Sequence, residues 1–297
     1  PTAVGKTELS LRIAERLAGE IVSADSRQVY RFLDIGTAKP SLQVRQRIPH
    51  YFIDIRHPDQ YYSAGEYGRE ARERIDLLLT QGKTPIVVGG SGLYIRALVD
   101  GLFTPKISDP AIKGKWRGRL REQGVAAVFE ILTQVDPVSA ERLHPNDVQR
   151  VLRALEVWEV TGKPISDLHH GAEEPANFKP LFFALTRDRD ILYRRIDARV
   201  DEMVHAGLVE EVERLVEMGY GRELNALRTV GYQEVLDYFA EFIAYDDMVN
   251  AIKRNSRRYA KRQLTWFRRD ERVQWLDMEK LRERTIEQML VDSVQAG

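Results

Sequence analysis

Residues 1–7, Pro-Thr-Ala-Val-Gly-Lys-Thr, run directly into a segment where Leu9, Ile13 and Leu17 recur four apart, and Gly19 then precedes Glu20-Ile21-Val22-Ser23-Ala24. Apolar residues at that spacing stack on one helical face, so the order reads loop, helix, strand. Gly5-Lys6-Thr7 supplies the second half of the phosphate-loop pattern Gly-x4-Gly-Lys-Ser/Thr. The first glycine is expected just before Pro1, and the true N-terminus is expected to be missing from this chain. In such a loop, backbone N–H groups and the positive end of the helix dipole converge on an anion. Lys6 adds a point charge toward the terminal phosphate, and Thr7 offers a hydroxyl to Mg²⁺. A bare Gly-Lys-Thr is common; its position between a loop and an amphipathic helix, with a strand beyond, is what constrains the fold. The motif does not name the molecule carrying the phosphates, and ATP and GTP stay open on this evidence.

The strand after the first helix delivers Asp25 at its C-terminal end. Further strands are expected at 51–55 (Tyr-Phe-Ile-Asp-Ile) and 84–88 (Thr-Pro-Ile-Val-Val), with a helix over about 65–81 between them. Alternation of strand and helix argues for a parallel sheet covered on both faces. From Pro105 to about Pro175 the strand signal stops; a helix over 146–161 carries Val148, Val151, Leu152, Leu155 and Trp158 in helical period. Strands return at 181–185 and 273–276. The expected fold is α/β, a P-loop NTPase-like parallel sheet flanked by helices, with an all-helical insertion domain. Its core spans 1–104 and 178–297, and the insertion spans 105–177.

Cysteine is absent, which excludes disulfides, thiolate zinc sites and a cysteine nucleophile and agrees with a reducing cytosol. No apolar run approaches the ~18 residues of a membrane span, so a cytoplasmic protein without membrane contact is expected. Lys+Arg and Asp+Glu are 45 each, so only the distribution of charge is informative. Between Met248 and Arg269 there is no acid, while Lys253, Arg254, Arg257, Arg258, Lys261, Arg262, Arg268 and Arg269 fall there, most on one broad helical face. A charge run is usually a solvated face; one with no interleaved acids for pairing points to a polyanion.

Seven further blocks occur in a recognisable order. They are Asp25-Ser26-Arg27-Gln28-Val29-Tyr30, Ile35-Gly36-Thr37-Ala38-Lys39-Pro40, Pro49-His50-Tyr51-Phe52-Ile53-Asp54 and Gly89-Gly90-Ser91-Gly92-Leu93-Tyr94. After these come His144-Pro145-Asn146-Asp147 with the helix through Ala154-Leu155-Glu156-Val157, Thr229-Val230-Gly231-Tyr232, and Lys261-Arg262-Gln263-Leu264-Thr265-Trp266-Phe267-Arg268. Together with the opening loop they resemble the tRNA dimethylallyltransferases, from residue 1 to about residue 277.

The resemblance implies prenyl transfer without nucleotide hydrolysis. Dimethylallyl pyrophosphate enters one end of a channel and a flipped adenine of the anticodon stem-loop enters the other. By resemblance Asp25 is the general base, and Thr7 and Arg199 join it as catalytic residues. Pro1, Thr2, Ala3, Val4, Gly5, Lys6, Thr7 and Arg199 hold the pyrophosphate, with Mg²⁺ on Thr7. From periodicity alone, Arg195 and Arg199 would be two solvated arginines four apart on a polar face, and Asp25 could equally cap the turn that follows it.

By the same resemblance, tRNA contacts are expected from Asp25, Ser26, Arg27 and Gln28, from Gln149, Arg150, Val151, Leu152 and Arg153, and from Arg228, Thr229, Val230, Gly231, Tyr232 and Gln233. Ser91, where the family commonly carries Thr, and Lys113, where it carries Arg, are expected to join them. The basic stripe adds Arg257, Arg258, Lys261, Arg262 and Arg268. Unstacked loop bases are read by stacking and edge hydrogen bonds, and chemistry on a base requires its extrusion. A monomer is expected. Two other readings stay open: a P-loop nucleotide or small-molecule kinase, and a prenyltransferase acting on free AMP.

Overall fold

The computed structural model describes residues 1–102, 109–168 and 176–296. The chain divides into two compact units, Pro1–Val99 with Ala176–Gly297, and Asp100–Pro175. The expected boundary at 104–105 lies outside the described residues.

The first unit opens with α1 (Lys6–Arg16), β1 (Glu20–Ala24), α2 (Leu42–Arg47), β2 (His50–Tyr51), α3 (Ala64–Thr80), β3 (Pro85–Gly89) and α4 (Gly92–Val99). α1 buries Leu9 and Ile13 of the periodic stripe. α3 starts at a reciprocal cap: Ser63 accepts from the Glu66 N–H, and the Glu66 side chain accepts from the Ser63 N–H, which satisfies two otherwise orphaned donors. β1 is the central strand, parallel to β2 on one side and β3 on the other, with Ile21 opposite His50 and Ala24 opposite Gly89.

The second unit holds α5 (Pro110–Val135), α6 (Pro137–Arg142), α7 (Val148–Thr161) and α8 (Ile165–Leu168), all helical among its described residues. α5 breaks its helical geometry at Gly124 (φ 79°, ψ 174°), in the left-handed region that glycine enters at little cost. Trp116, Val128, Leu132, Val151, Leu152 and Leu155 form its buried core. Val151 and Leu152, expected among the RNA contacts, therefore spend their side chains on packing; only their neighbours on α7 face outward.

The chain then returns to the first unit with β4 (Phe183–Thr186), α9 (Arg189–His205), α10 (Leu208–Glu217), α11 (Tyr232–Phe239), α12 (Tyr245–Phe267), β5 (Gln274–Asp277) and α13 (Glu283–Gln295). β4 and β5 pair parallel with each other, Ala184 opposite Trp275 and Leu185 opposite Leu276. The strands thus form two small parallel sheets, of three and two strands, in place of the single sheet expected. α1 packs with both: its Leu9 and Ile13 cluster with Leu185 and Leu276, and its Ala14 clusters with Ile21 of β1. Among the described residues no helix is long and apolar enough to cross a membrane.

Candidate active site and nucleic-acid interface

The opening loop is shaped by its own backbone and by arginines distant in sequence, Arg187 between β4 and α9 and Arg195 and Arg199 on α9. Ala3 (φ 58°) and Gly5 (φ 109°) take left-handed conformations, and α1 begins directly at Lys6. Three loop carbonyls are held by cationic donors. Lys6 Nζ donates to Pro1 O (2.6 Å), Arg195 Nε to Ala3 O (2.9 Å) and Arg187 Nε to Val4 O (3.0 Å). Arg199 Nη1 donates to Thr2 Oγ1 at 3.3 Å. Carbonyls drawn outward by charged donors leave the loop with a surplus of positive potential, which suits an anion. Arg195 is exposed, as its polar face predicts, and its guanidinium also holds the loop. Its signal in the sequence was only its spacing from Arg199, and Arg187 carried no signal at all.

Burial first and the nearby Arg199 second lower the Lys6 ammonium to a pKa of about 8, with Asp25 opposing both. Arg199 is likewise drawn below its usual value by burial, with Asp25 and Glu202 acting in the other direction. The two cations and Asp25 are thus electrostatically coupled around one space. Thr7 stands exposed at the head of α1, one residue past the start of the helix.

Asp25 sits where β1 ends. Its Oδ1 accepts from the N–H groups of Arg27 (2.8 Å) and Gln28 (3.3 Å), so it does cap the following turn. The same residue lines a cavity of about 260 Å³ together with Thr2, Ala3, Ser26, Arg27, Arg199, Tyr259 and Arg262. Capping occupies one carboxylate oxygen, so the cap and a chemical role do not exclude each other. Ser91 is not among the lining residues; its Oγ accepts from the Ser26 N–H (3.0 Å) and donates to Ser26 Oγ (3.1 Å), which fixes the turn beside Asp25. Gln28 turns its amide to the carbonyls of Thr37 (3.1 Å) and Ala38 (3.3 Å), so it organises the loop rather than the cavity.

Arg228, Thr229, Val230 and Gly231 complete the cavity wall. Tyr232 does not belong to it. Its ring is fully buried, and its hydroxyl donates to Glu211 Oε1 at 2.6 Å, which together with burial raises its pKa far above the ordinary tyrosine value. Gln233 is exposed. Glu211, which no local pattern marks, also accepts from the N–H groups of Asp34 (3.1 Å), Ile35 (2.8 Å) and Gly36 (3.3 Å), and Gly36 and Thr37 line the cavity.

The basic stripe on α12 is split. Lys253 pairs with Asp201 (2.6 Å) and Arg257 with Asp197 (2.5 Å), both acids on α9. Arg257 is therefore an ion-paired residue at a helix–helix contact, a partner invisible to a reading of α12 alone. Arg258, Lys261, Arg262, Thr265, Trp266 and Arg269 line an open groove on the other edge, and Arg268 is exposed. In the second unit Gln149 and Arg150 are exposed on α7. Arg150 pairs with Asp147 (3.1 Å), and Arg153 lies 3.6 Å from Glu156. Lys113 is half-buried on α5.

A loop that shares a cavity with the Asp25 carboxylate and Arg199, in a chain with an open cationic helix edge, can be set beside known proteins. The family model for IPP transferase matches residues 28–270. The chain is 45% identical to the tRNA dimethylallyltransferase of Carboxydothermus hydrogenoformans, over 96% of this chain and 94% of that protein. It is 47% identical to the tRNA dimethylallyltransferase of Geobacter sulfurreducens, over 93% and 89%. Among solved structures, the full-length tRNA isopentenylpyrophosphate transferase from Bacillus halodurans superposes with a TM-score of 0.74 at 36% identity, covering 100% of this chain and 93% of that one. A eukaryotic dimethylallyltransferase acting on tRNA superposes with a TM-score of 0.79 at 30% identity, covering 93% and 71%. The matched span takes in the 228–231 wall and the α12 edge, and on that breadth the chain belongs to the IPP transferase family.

Proposed function

We propose that the protein transfers a dimethylallyl group from dimethylallyl pyrophosphate to N6 of the adenine 3′ of the anticodon, position 37, in tRNA, and releases pyrophosphate. The observation that carries this reading is that Asp25, Thr2 and Arg199 line one cavity, which supports Asp25 as proton acceptor for an amine facing a diphosphate held by the loop. The names of the relatives agree with it.

The adenine N6 lone pair attacks C1 of the allyl group, the C1–O bond breaks, and its electron pair leaves on the diphosphate. An exocyclic purine amine is a poor nucleophile and must lose a proton as the bond forms. The Asp25 carboxylate receives that proton. Lys6, Arg199 and the loop N–H groups hold the diphosphate and offset the charge that builds on it. Thr7, with an exposed hydroxyl at the head of α1, fits a magnesium ion as a hard oxygen donor. Magnesium commonly takes one or two protein ligands and completes its shell from substrate phosphates and water. Bound there, the ion would neutralise phosphate charge.

Arg228–Gly231, Asp25–Arg27 and the open edge of α12 serve the RNA. The described helices of residues 109–168 act as an insertion domain that contacts tRNA through Gln149, Arg150, Arg153 and Lys113. The protein works as a cytoplasmic monomer. Incubation with dimethylallyl pyrophosphate and tRNA, followed by nucleoside mass analysis, is expected to show adenosine carrying one dimethylallyl group. Phosphate transferred from labelled ATP to an acceptor would establish a kinase instead, and AMP modified as fast as tRNA would establish a free-nucleotide prenyltransferase.

A further inference from the structure

Gln263 lies on α12 between the cationic residues Lys261, Arg262 and Arg268, yet it points inward and is only 6% exposed. Its side-chain amide makes two bonds of opposite sense. Oε1 accepts from the Thr2 N–H at 2.8 Å, and Nε2 donates to Gly90 O at 3.0 Å. The two partners fix which end of the amide is oxygen, because one offers a proton and the other a lone pair. Both partners belong to elements of the site. Thr2 is in the phosphate loop, and its hydroxyl receives the Arg199 bond. Gly90 precedes Ser91, whose hydroxyl holds Ser26 and hence the turn at Asp25. The contact is close: a Cβ at position 90 would lie 1.9 Å from Nε2, so the backbone there fits against this amide and no larger residue.

We propose that Gln263 is a positioning residue that sets the separation between the diphosphate-holding loop and the Asp25 turn, and so the approach of the adenine amine to the allyl carbon. One rigid amide spans the two halves of the site. Its carrier helix also presents the open cationic edge, so the element that meets RNA on its outside fixes the donor loop from its inside. Small errors in such a separation cost rate far more than they cost binding. This inference rests on the reading of the phosphate loop as the donor site.

The test uses the full chain with dimethylallyl pyrophosphate and tRNA, comparing Gln263→Leu and Gln263→Glu with wild type. Leucine removes both bonds; glutamate keeps an acceptor for Thr2 and loses the donor to Gly90. For Gln263→Leu, kcat is expected to fall about ten-fold or more, the scale of one buried hydrogen bond lost in the transition state. Its donor KM should rise and its tRNA affinity should hold. For Gln263→Glu, kcat should fall while donor KM stays nearer wild type, because the Thr2 contact survives. Calorimetric binding of inorganic pyrophosphate should weaken in the leucine variant more than in the glutamate one, and this readout also serves Gln263→Asn if leucine prevents folding. Unchanged kcat and donor KM in variants that merely melt earlier would overturn the proposal, as would loss of tRNA affinity in step with kcat. A wild-type protein that makes no prenylated tRNA would instead refute the underlying functional reading, so the two failures are distinct.

Discussion

The hydroxyl of Tyr232 donates to Oε1 of Glu211 at 2.6 Å deep in the first unit, and the same carboxylate gathers the N–H groups of Asp34, Ile35 and Gly36. One buried acid therefore ties the start of α11 to the loop that forms a wall of the cavity. Glu211→Ala leaves four donors without an acceptor, and unfolding by urea should show a loss of about 3 kcal/mol or more. Tyr232→Phe removes one bond of the set and should cost about 1 kcal/mol. Because that hydroxyl faces inward, the phenylalanine variant should keep wild-type tRNA affinity. A large drop in RNA binding would show that Tyr232 reaches the substrate after all.

Asp25→Asn keeps an oxygen able to accept from the Arg27 and Gln28 N–H groups, so the turn should survive while the proton acceptor is lost. Its kcat should drop by about 10²–10⁴-fold, the range for general base removal, with tRNA affinity held near wild type. Filter binding and single-turnover kinetics measured together check this; binding that collapses with turnover would make the cap the whole role of Asp25.

Lys6 has a pKa lowered to about 8 by burial and by Arg199. Below that pH it carries the charge that meets the diphosphate; above it the charge is lost. The donor kcat/KM, which reports the free enzyme, should be level on the acid side of about 8 and decline as pH rises beyond it. In Lys6→Met the profile should be low and lack that decline. A wild-type profile flat through pH 9 would remove Lys6 from diphosphate binding.

The split of the basic helix separates two arginines that are adjacent in the chain. Arg258→Ala and Lys261→Ala, on the open edge, should each reduce the slope of log Kd against log salt by about 0.7–0.9, one phosphate contact apiece. Arg257→Ala should leave that slope unchanged and lower stability by less than about 1 kcal/mol, since its pair with Asp197 is partly exposed. Equal slopes for the variants at 257 and 258 would mean that the α9 acids release Arg257 when RNA arrives.

The elements that could be read along the chain were those whose signal is local. The stripe of Leu9 and Ile13, the β-rich run Glu20–Ala24 and the period of Val148 to Trp158 each correspond to an observed element. The expected strand at 51–55 shortens to His50–Tyr51, because Phe52 and Asp54 take positive φ and the chain leaves the sheet. What escaped is long-range. Gln263 meets Thr2 across 261 positions, Glu211 meets Ile35 across 176 and Arg187 meets Val4 across 183, and no window along the chain displays such pairs. Asp197 and Asp201 escaped for a related reason: a stripe judged on one helix cannot report acids supplied by another. Val151, Leu152 and Tyr232 lie inside motifs that also carry surface residues, and a motif does not state which of its side chains turns inward.

The pairing of Lys253 and Arg257 with acids of α9 has an effect on how an RNA is met. With 45 basic and 45 acidic residues the protein has no net charge to pull nucleic acid from afar, and on α12 the pairing leaves Arg258, Lys261, Arg262 and Arg269 together along one open groove. Attraction there fades within roughly a Debye length, ~8 Å at physiological salt. A polyanion that reaches α12 is thus met by that edge and not by the face turned to α9. The encounter selects for orientation before any base is read, and long featureless duplexes that cannot present a loop to that edge gain little hold.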